Sequence, residues 1–223
     1  MNRLTASATH RITGTFQEHR QGLRLFGVTV NDAHAARTDV ADIEIVPVRD
    51  LAAICEETEH RADEPGDEEI QRYTEVLAAY AATGPVLPAP VGVIFRSSDS
   101  VKRWLELHYS ALSEAMTFVE NRVAGRVHVW RPGPPSEREA GADLAAVAAE
   151  SLRVLRRAAV ATQPLRVEKL TGIVLSAAFL VEQPLWKDFK AEVDAQAKMA
   201  PSVRFELTGP FPPYDFVQMQ LGA

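Results

Sequence analysis

The sequence has one cysteine, Cys55, so no disulfide can form within the chain, and a thiolate metal site would need several more sulfurs. Basic charge is short as well. Lys and Arg number 24 against 30 Asp and Glu, leaving a net charge of −6 and an isoelectric point near 5.6. Non-specific binding to nucleic acid or to anionic lipid needs a basic field, so neither nucleic acid nor a lipid membrane is expected as a partner. Long apolar runs are absent: the longest, residues 172–181, is too short to cross a bilayer as a helix. The first residues, MNRLTASATHRITG, contain no continuous apolar stretch of the secretory kind, and a cytoplasmic location is expected. Glycine-rich phosphate loops, a G-x-S-x-G elbow and an H-E-x-x-H pair are all missing. The six histidines (10, 19, 34, 60, 108 and 128) fall on different segments, never at the i, i+4 spacing that puts two ligands on one helical face. No catalytic residue, cofactor or metal site is expected.

What is present is ordinary for a globular chain: 46% hydrophobic and 24% charged residues. Residues 1–20 are polar and without period, so a flexible tail or an added strand is expected. A first α+β domain is expected over 21–124. It opens with strands at 23–30 (LRLFGVTV) and 43–48 (IEIVPV). The following DLAAICEE is ambiguous and leans towards a short helical turn before a strand. The acidic run 56–69 predicts a solvated loop with Asp67 as the helix N-cap. Ile70, Tyr73, Leu77 and Tyr80 then mark one helical face, and three prolines interrupt the extended segment 84–95. A long helix is expected over about 98–121, with Val101, Trp104, Leu105, His108, Leu112, Ala115, Met116 and Val119 as its stripe. His108 there reads as a core or domain-seam histidine, because no partner residue can be placed beside it.

Residues 125–209 predict a second domain: strand 126–131, helix 138–160, strands 165–170 and 172–182, helix 184–199 and strand 203–209. The order βαββαβ is the split β-α-β arrangement of ferredoxin-like domains, with both helices on one face of the sheet. The helices should bury Leu144, Val147, Ala148, Ser151, Leu155 and Ala158, and Leu185, Phe189 and Val193. If Val127 and Val129 face the helices, His128 and Trp130 lie on the open face. That face needs an apolar cover, either the N-terminal half of the chain or a partner subunit. A small molecule held there around His128, Trp130 and Arg204 is a competing reading.

The last segment, 210–223, follows the strand with Pro210, Pro212 and Pro213, so a stiff, extended exit is expected. Phe211, Tyr214 and Phe216 would then pack across the two domains, or form a preordered contact for a partner. The string LTGPFPPYDFV (207–217) resembles the closing signature of the gas vesicle GvpL/GvpF family. SAAFLVE (176–182) resembles that family's long strand, and YTEVLAAYAATGPVLPAPVGVIF (73–95) its N-terminal helix and Leu-Pro turn. The resemblance implies an α+β fold of two domains, the second a modified ferredoxin-like sheet. It also implies a non-enzymatic accessory or structural role in gas vesicle assembly, associated with gas vesicles in the cytoplasm. The partners it implies are the major shell protein GvpA and other accessory gas-vesicle proteins. It brings no catalytic residue and no cofactor. The chain departs from the pattern after Leu87-Pro88: where the family has Arg-Phe-Gly-Thr, this sequence has Pro90, Val91, Gly92 and Val93. A diverged interaction module serving another complex is the reading which that departure motivates.

Overall fold

The computed structural model describes residues 21–32, 40–59, 65–131, 142–166, 172–217 and 219, and they form an α+β chain built on two antiparallel sheets. Expectations for residues 1–20, 60–64, 138–141 and 167–170 lie outside the described residues.

The first sheet contains β1 (Gln21–Val30), β2 (Ile43–Val48), β3 (Leu51–Glu59), β4 (Val86–Pro88) and β5 (Ile94–Phe95). Its order is β2-β3-β1-β4, with β5 also paired to β1. DLAAICEE contains no helical turn, because β3 is central. It pairs with β2 on one side and β1 on the other, through a two-residue turn in which Arg49 has φ 56°. Both of its faces are buried, which erases the alternation that would have marked it as a strand. Leu51, Ala53 and Cys55 join the core under α2 (Ser98–Val119), and Ile54 joins the core under α1 (Asp67–Ala81). The sheet therefore lies between two helices.

The stripe read for α2 is the buried face: Val101, Trp104, Leu105, Leu112, Met116 and Val119 are all covered. Ser97 caps it, its hydroxyl accepting from the Ser100 N–H at 3.3 Å. On α1 the N-cap is Gly66 rather than Asp67, which becomes the first helical residue. The Glu69 carboxylate reaches back to accept from the Gly66 N–H. Tyr73, Val76, Leu77 and Tyr80 are buried, whereas Ile70 is 47% exposed and stands clear of the core it was expected to join. The acidic run is only partly solvated. Glu56 is largely buried between Arg24 (3.2 Å) and Arg72 (2.9 Å), and Arg24 also meets Glu69.

The second sheet has the order β7-β8-β6-β9, all antiparallel: β6 (Arg122–Trp130), β7 (Ala161–Pro164), β8 (Ile173–Glu182) and β9 (Arg204–Phe211). Helix α3 (Ala142–Arg157) links β6 to β7 across β8, and α4 (Trp186–Met199) links β8 to β9 across β6, so each β-α-β unit is split by one strand. Val127, Val129, Ala177, Phe179 and Val181 face Leu155, Phe189 and Val193 of the helices. The other side of the sheet is buried at Ala124, Ala178 and Leu180.

Several boundaries differ from the sequence reading. β6 starts at Arg122, so the 124/125 division falls inside a strand, and α2 ends at Val119 with only Glu120 and Asn121 between them. Among the described residues the edge strand is 161–164, pairing Ala161 with Leu180 and Pro164 with Ala177, and the Leu165 N–H still donates to the Ser176 carbonyl at 2.9 Å. Leu185 lies in a single 3-10 turn ahead of α4 and is 47% exposed; the half-buried Trp186 takes its place against the core. β9 does not stop at Gly209. It shifts register opposite Gly125 and runs on to Phe211, which pairs with Ala124. Beyond it the chain turns instead of extending: the Tyr214 N–H donates to the Pro212 carbonyl at 2.7 Å and the Phe216 N–H to the Pro213 carbonyl at 3.0 Å. Proline fixes φ without forbidding a turn, so the three prolines did not impose an extended exit.

Trp186 explains two glycines at this junction. A Cβ on Gly125 would lie 2.6 Å from Trp186 Cη2. At Gly209 (φ 130°) a Cβ would lie 2.9 Å from the Ala124 carbonyl oxygen and 3.1 Å from Trp186 Cη2. The glycine of the closing string thus serves a positive φ and a close ring contact at once.

Candidate functional site

Where the closing segment turns away from β9 it meets the first sheet's unit and bounds a groove of about 780 Å³. One wall is α1, with Ile70, Tyr73 and Thr74. The second is the end of β4 and the stretch after it, with Pro88, Ala89, Pro90 and Val91. The third is the C-terminal segment, with Phe211, Tyr214, Val217 and Met219, and Arg126 of β6 closes the groove. Ile70 and Val91, 47% and 38% exposed, stand on its rim as unburied apolar side chains.

The walls are held by a few specific contacts. Tyr73 is buried by the sheet beneath it, and its hydroxyl donates to the Ala89 carbonyl, tying α1 to the second wall. Its ring lies 6.3 Å from Phe26 on one side and 6.3 Å from Tyr214 on the other. Val217 and Met219 pack against the core under α2. Asp215, the next residue after Tyr214, takes a two-pronged ion pair from Arg126: Nε to Oδ2 at 2.9 Å and Nη2 to Oδ1 at 3.0 Å. The Asp215 side chain is 13% exposed and that of Arg126 39%. The Arg126 guanidinium also lies 6.0 Å from the Phe211 ring.

The chemistry available is that of binding. Burial pushes the Tyr73 phenol far above its ordinary range, with Tyr214 adding to the effect. Burial raises Tyr214 as well, against the opposing pull of the Arg126 charge. Both phenols stay neutral at physiological pH. Among the described residues the rest of the lining is the paired Arg126, Thr74 and aliphatic, proline and aromatic side chains.

Of the residues singled out from sequence, Phe211 and Tyr214 line this groove. Phe216 is half-buried in the adjoining turn and does not line it. His128 and Trp130 are together, with ring centroids 6.4 Å apart, but farther along β6 and outside the groove. The His128 Nδ1 is 2.8 Å from the Ser176 hydroxyl, and the Trp130 indole N–H is buried without a hydrogen-bond partner among the described residues. Arg204 is mostly exposed and pairs loosely with Glu206 at 3.4 Å. His108 is half-buried against Trp104, its centroid 5.7 Å away. Cys55 is fully buried, and burial, helped by the charge of Glu44, pushes its thiol up to about 12. Sequence reasoning missed Arg126 and Asp215. The available signal was an arginine on the face of β6 away from the helices and a carboxylate inside the aromatic tail.

The family described as gas vesicle synthesis protein GvpL/GvpF matches residues 22–143 and 133–218 of this chain. Gas vesicle protein F2 of Halobacterium salinarum is 27% identical over 182 residues, covering 80% of this chain and 81% of that protein. Two crystal structures share the fold. The gas vesicle protein GvpF from an Anabaena species matches with a TM-score of 0.75 at 14% identity, over 90% of this chain and 97% of that one. GvpF from Microcystis aeruginosa matches with a TM-score of 0.70 at 13% identity, over 89% and 99%.

Proposed function

The chain belongs to the gas vesicle synthesis protein GvpL/GvpF family, and from that premise we propose that it acts in gas vesicle assembly by binding other gas-vesicle proteins through the groove. The family supplies the accessory role. The partners proposed are the major shell protein GvpA and other accessory gas-vesicle proteins, met in the cytoplasm at the growing vesicle. The observation that carries the site is the pair of exposed apolar side chains, Ile70 and Val91, on the rim of an otherwise apolar groove. An aliphatic rim over an aromatic floor suits the apolar face of a partner helix or strand, whose burial supplies roughly 25 cal/mol per Å². The non-enzymatic reading rests on the family; among the described residues the ionisable groups lining the groove are Tyr73, Tyr214 and the paired Arg126.

The test is capture of gas-vesicle proteins from a host expressing the whole set, using the wild-type chain and Ile70→Asp and Val91→Asp as bait. Both sites are exposed, so these variants should keep wild-type urea midpoints. They are expected to lose at least tenfold in capture, since a carboxylate would have to be desolvated in the contact. Failure of the wild-type chain to bind any gas-vesicle protein, singly or in the full set, would sink the proposal. Full capture by both variants would move the contact elsewhere.

A further inference from the structure

Tyr214 and Asp215 are neighbours in sequence and grip different parts of the molecule. The Tyr214 ring packs on Tyr73, in the helix over the first sheet. The Asp215 carboxylate is held in two prongs by Arg126, in a central strand of the second sheet. The covalent connection between the two sheets' units is short, Glu120 and Asn121 between α2 and β6, and Asn121 sits at φ 57°. The same C-terminal segment that makes both grips forms the third wall of the groove.

We propose that residues 212–217 are a latch: they fix the placement of the two units about the Glu120–Asn121 joint and thereby set the width of the groove. Physical linkage then runs both ways. A partner that binds the groove better in one placement shifts the population of placements, and a change that frees the latch alters affinity at the groove. The anchor on the second unit is electrostatic and partly exposed, which makes it the releasable one. The anchor on the first unit is a buried aromatic contact backed by Val217 and Met219 on the core. The latch is therefore expected to let go at Arg126 first, and to remain attached to the first unit. This inference rests on the groove reading for its consequence, while the latch itself is tested on the free chain.

The experiment combines Asp215→Asn, Arg126→Asp and the charge-swapped pair Arg126→Asp/Asp215→Arg. Hydrogen exchange of the peptide spanning 211–217 is measured in each. A distance distribution is measured between spin labels on Lys102→Cys in α2 and Lys187→Cys in α4, both exposed positions. Cys55 is fully buried and stays unlabelled at neutral pH. The expected result is about tenfold faster exchange over 211–217 in each single variant, the scale of losing one charge-assisted pair. A broadened label distance should accompany it, and both should recover in the charge swap. Unchanged exchange in the single variants would overturn the latch. Faster exchange with an unchanged label distance would overturn it too, because the segment would then be a passive tail. Neither result bears on whether the groove captures a partner, so the two proposals fail separately.

Discussion

Gly125→Ala should destabilise this protein although it replaces a glycine in the middle of a strand. At an ordinary strand position the change removes backbone freedom from the unfolded chain and gains roughly 0.5–1 kcal/mol. Here the new methyl would sit 2.6 Å and 2.7 Å from two ring atoms of Trp186 and 3.3 Å from Leu207 Cδ1. The ring is not free to swing aside. It stacks on Phe189 at 5.9 Å and also covers Gly209, where its Cη2 is 3.1 Å from the Cβ position. Overpacking of this kind costs about 1–3 kcal/mol, so the net effect is a loss of about 1–2 kcal/mol. For a chain of this length that lowers Tm by about 3–6 °C. Urea unfolding followed by circular dichroism gives the midpoint, with Trp186→Phe and the double variant completing a cycle. Phenylalanine lacks the two ring atoms that collide, so it loses some burial yet makes room for the methyl. The double variant should therefore be about 1–2 kcal/mol more stable than the sum of the singles predicts. A neutral or stabilising Gly125→Ala, or additive behaviour in the cycle, would show that the ring does not constrain the strand.

Alkaline pH should expose the buried thiol. The Cys55 pKa is raised from 9.0 to about 12 in the folded chain, chiefly by burial, so its contribution to stability is complete below pH 9 and is lost as pH rises towards 12. Urea midpoints should accordingly fall from about pH 9 upwards. In Cys55→Ala the decline should begin about one unit higher, where Tyr73 and Tyr214 ionise in the unfolded chain while burial keeps them protonated in the folded one. An identical pH profile in the two chains would contradict the burial of the thiol. Tyr73→Phe removes the donor to the Ala89 carbonyl and leaves that acceptor unsatisfied. It should lower stability by about 1–2 kcal/mol in urea unfolding, and an unchanged midpoint would mean that water serves the carbonyl equally well.

The parts of the fold that could be read from sequence are those in which one face is buried and the other wet. The α2 stripe from Val101 to Val119 is an example, since a helix with one dry face writes its period into the chain. β3 is the opposite case: Leu51 to Cys55 are buried on both faces, so no alternation survives to separate strand from helical turn. β7 was missed for a different reason: ATQP does not alternate, yet pairing with β8 is decided by the backbone ladder and needs no alternation at an edge. The groove was half legible. Phe211 and Tyr214 announce themselves as aromatics on a proline-rich segment, and Val91 lies where the chain departs from its family's pattern. The Arg126–Asp215 pair joins residues 89 positions apart, and neither carries a local signal of its partner. His128 lies on the face of β6 expected for it but outside the groove, because a strand's period gives the face and says nothing about which end meets a neighbour.

That departure after Leu87-Pro88 can be given a physical meaning. Pro90 and Val91, standing where the family's pattern has arginine and phenylalanine, line the groove, and Val91 is its exposed rim. Gly92 and Val93 serve the scaffold instead. Gly92 has φ 85° with Pro65 Cγ 3.1 Å from where a Cβ would be, and the Val93 carbonyl accepts from the Leu25 N–H at 2.8 Å, fastening this loop to β1. The position that matches the pattern's glycine is the one whose backbone requires it; of the three that depart from it, Pro90 and Val91 face the groove and Val93 does not. An arginine on this rim would demand a partner charge or a desolvation cost, whereas valine and proline ask only for apolar surface to cover. Under the proposed function, Pro90 and Val91 on the groove wall would favour a partner with an uncharged, aliphatic face.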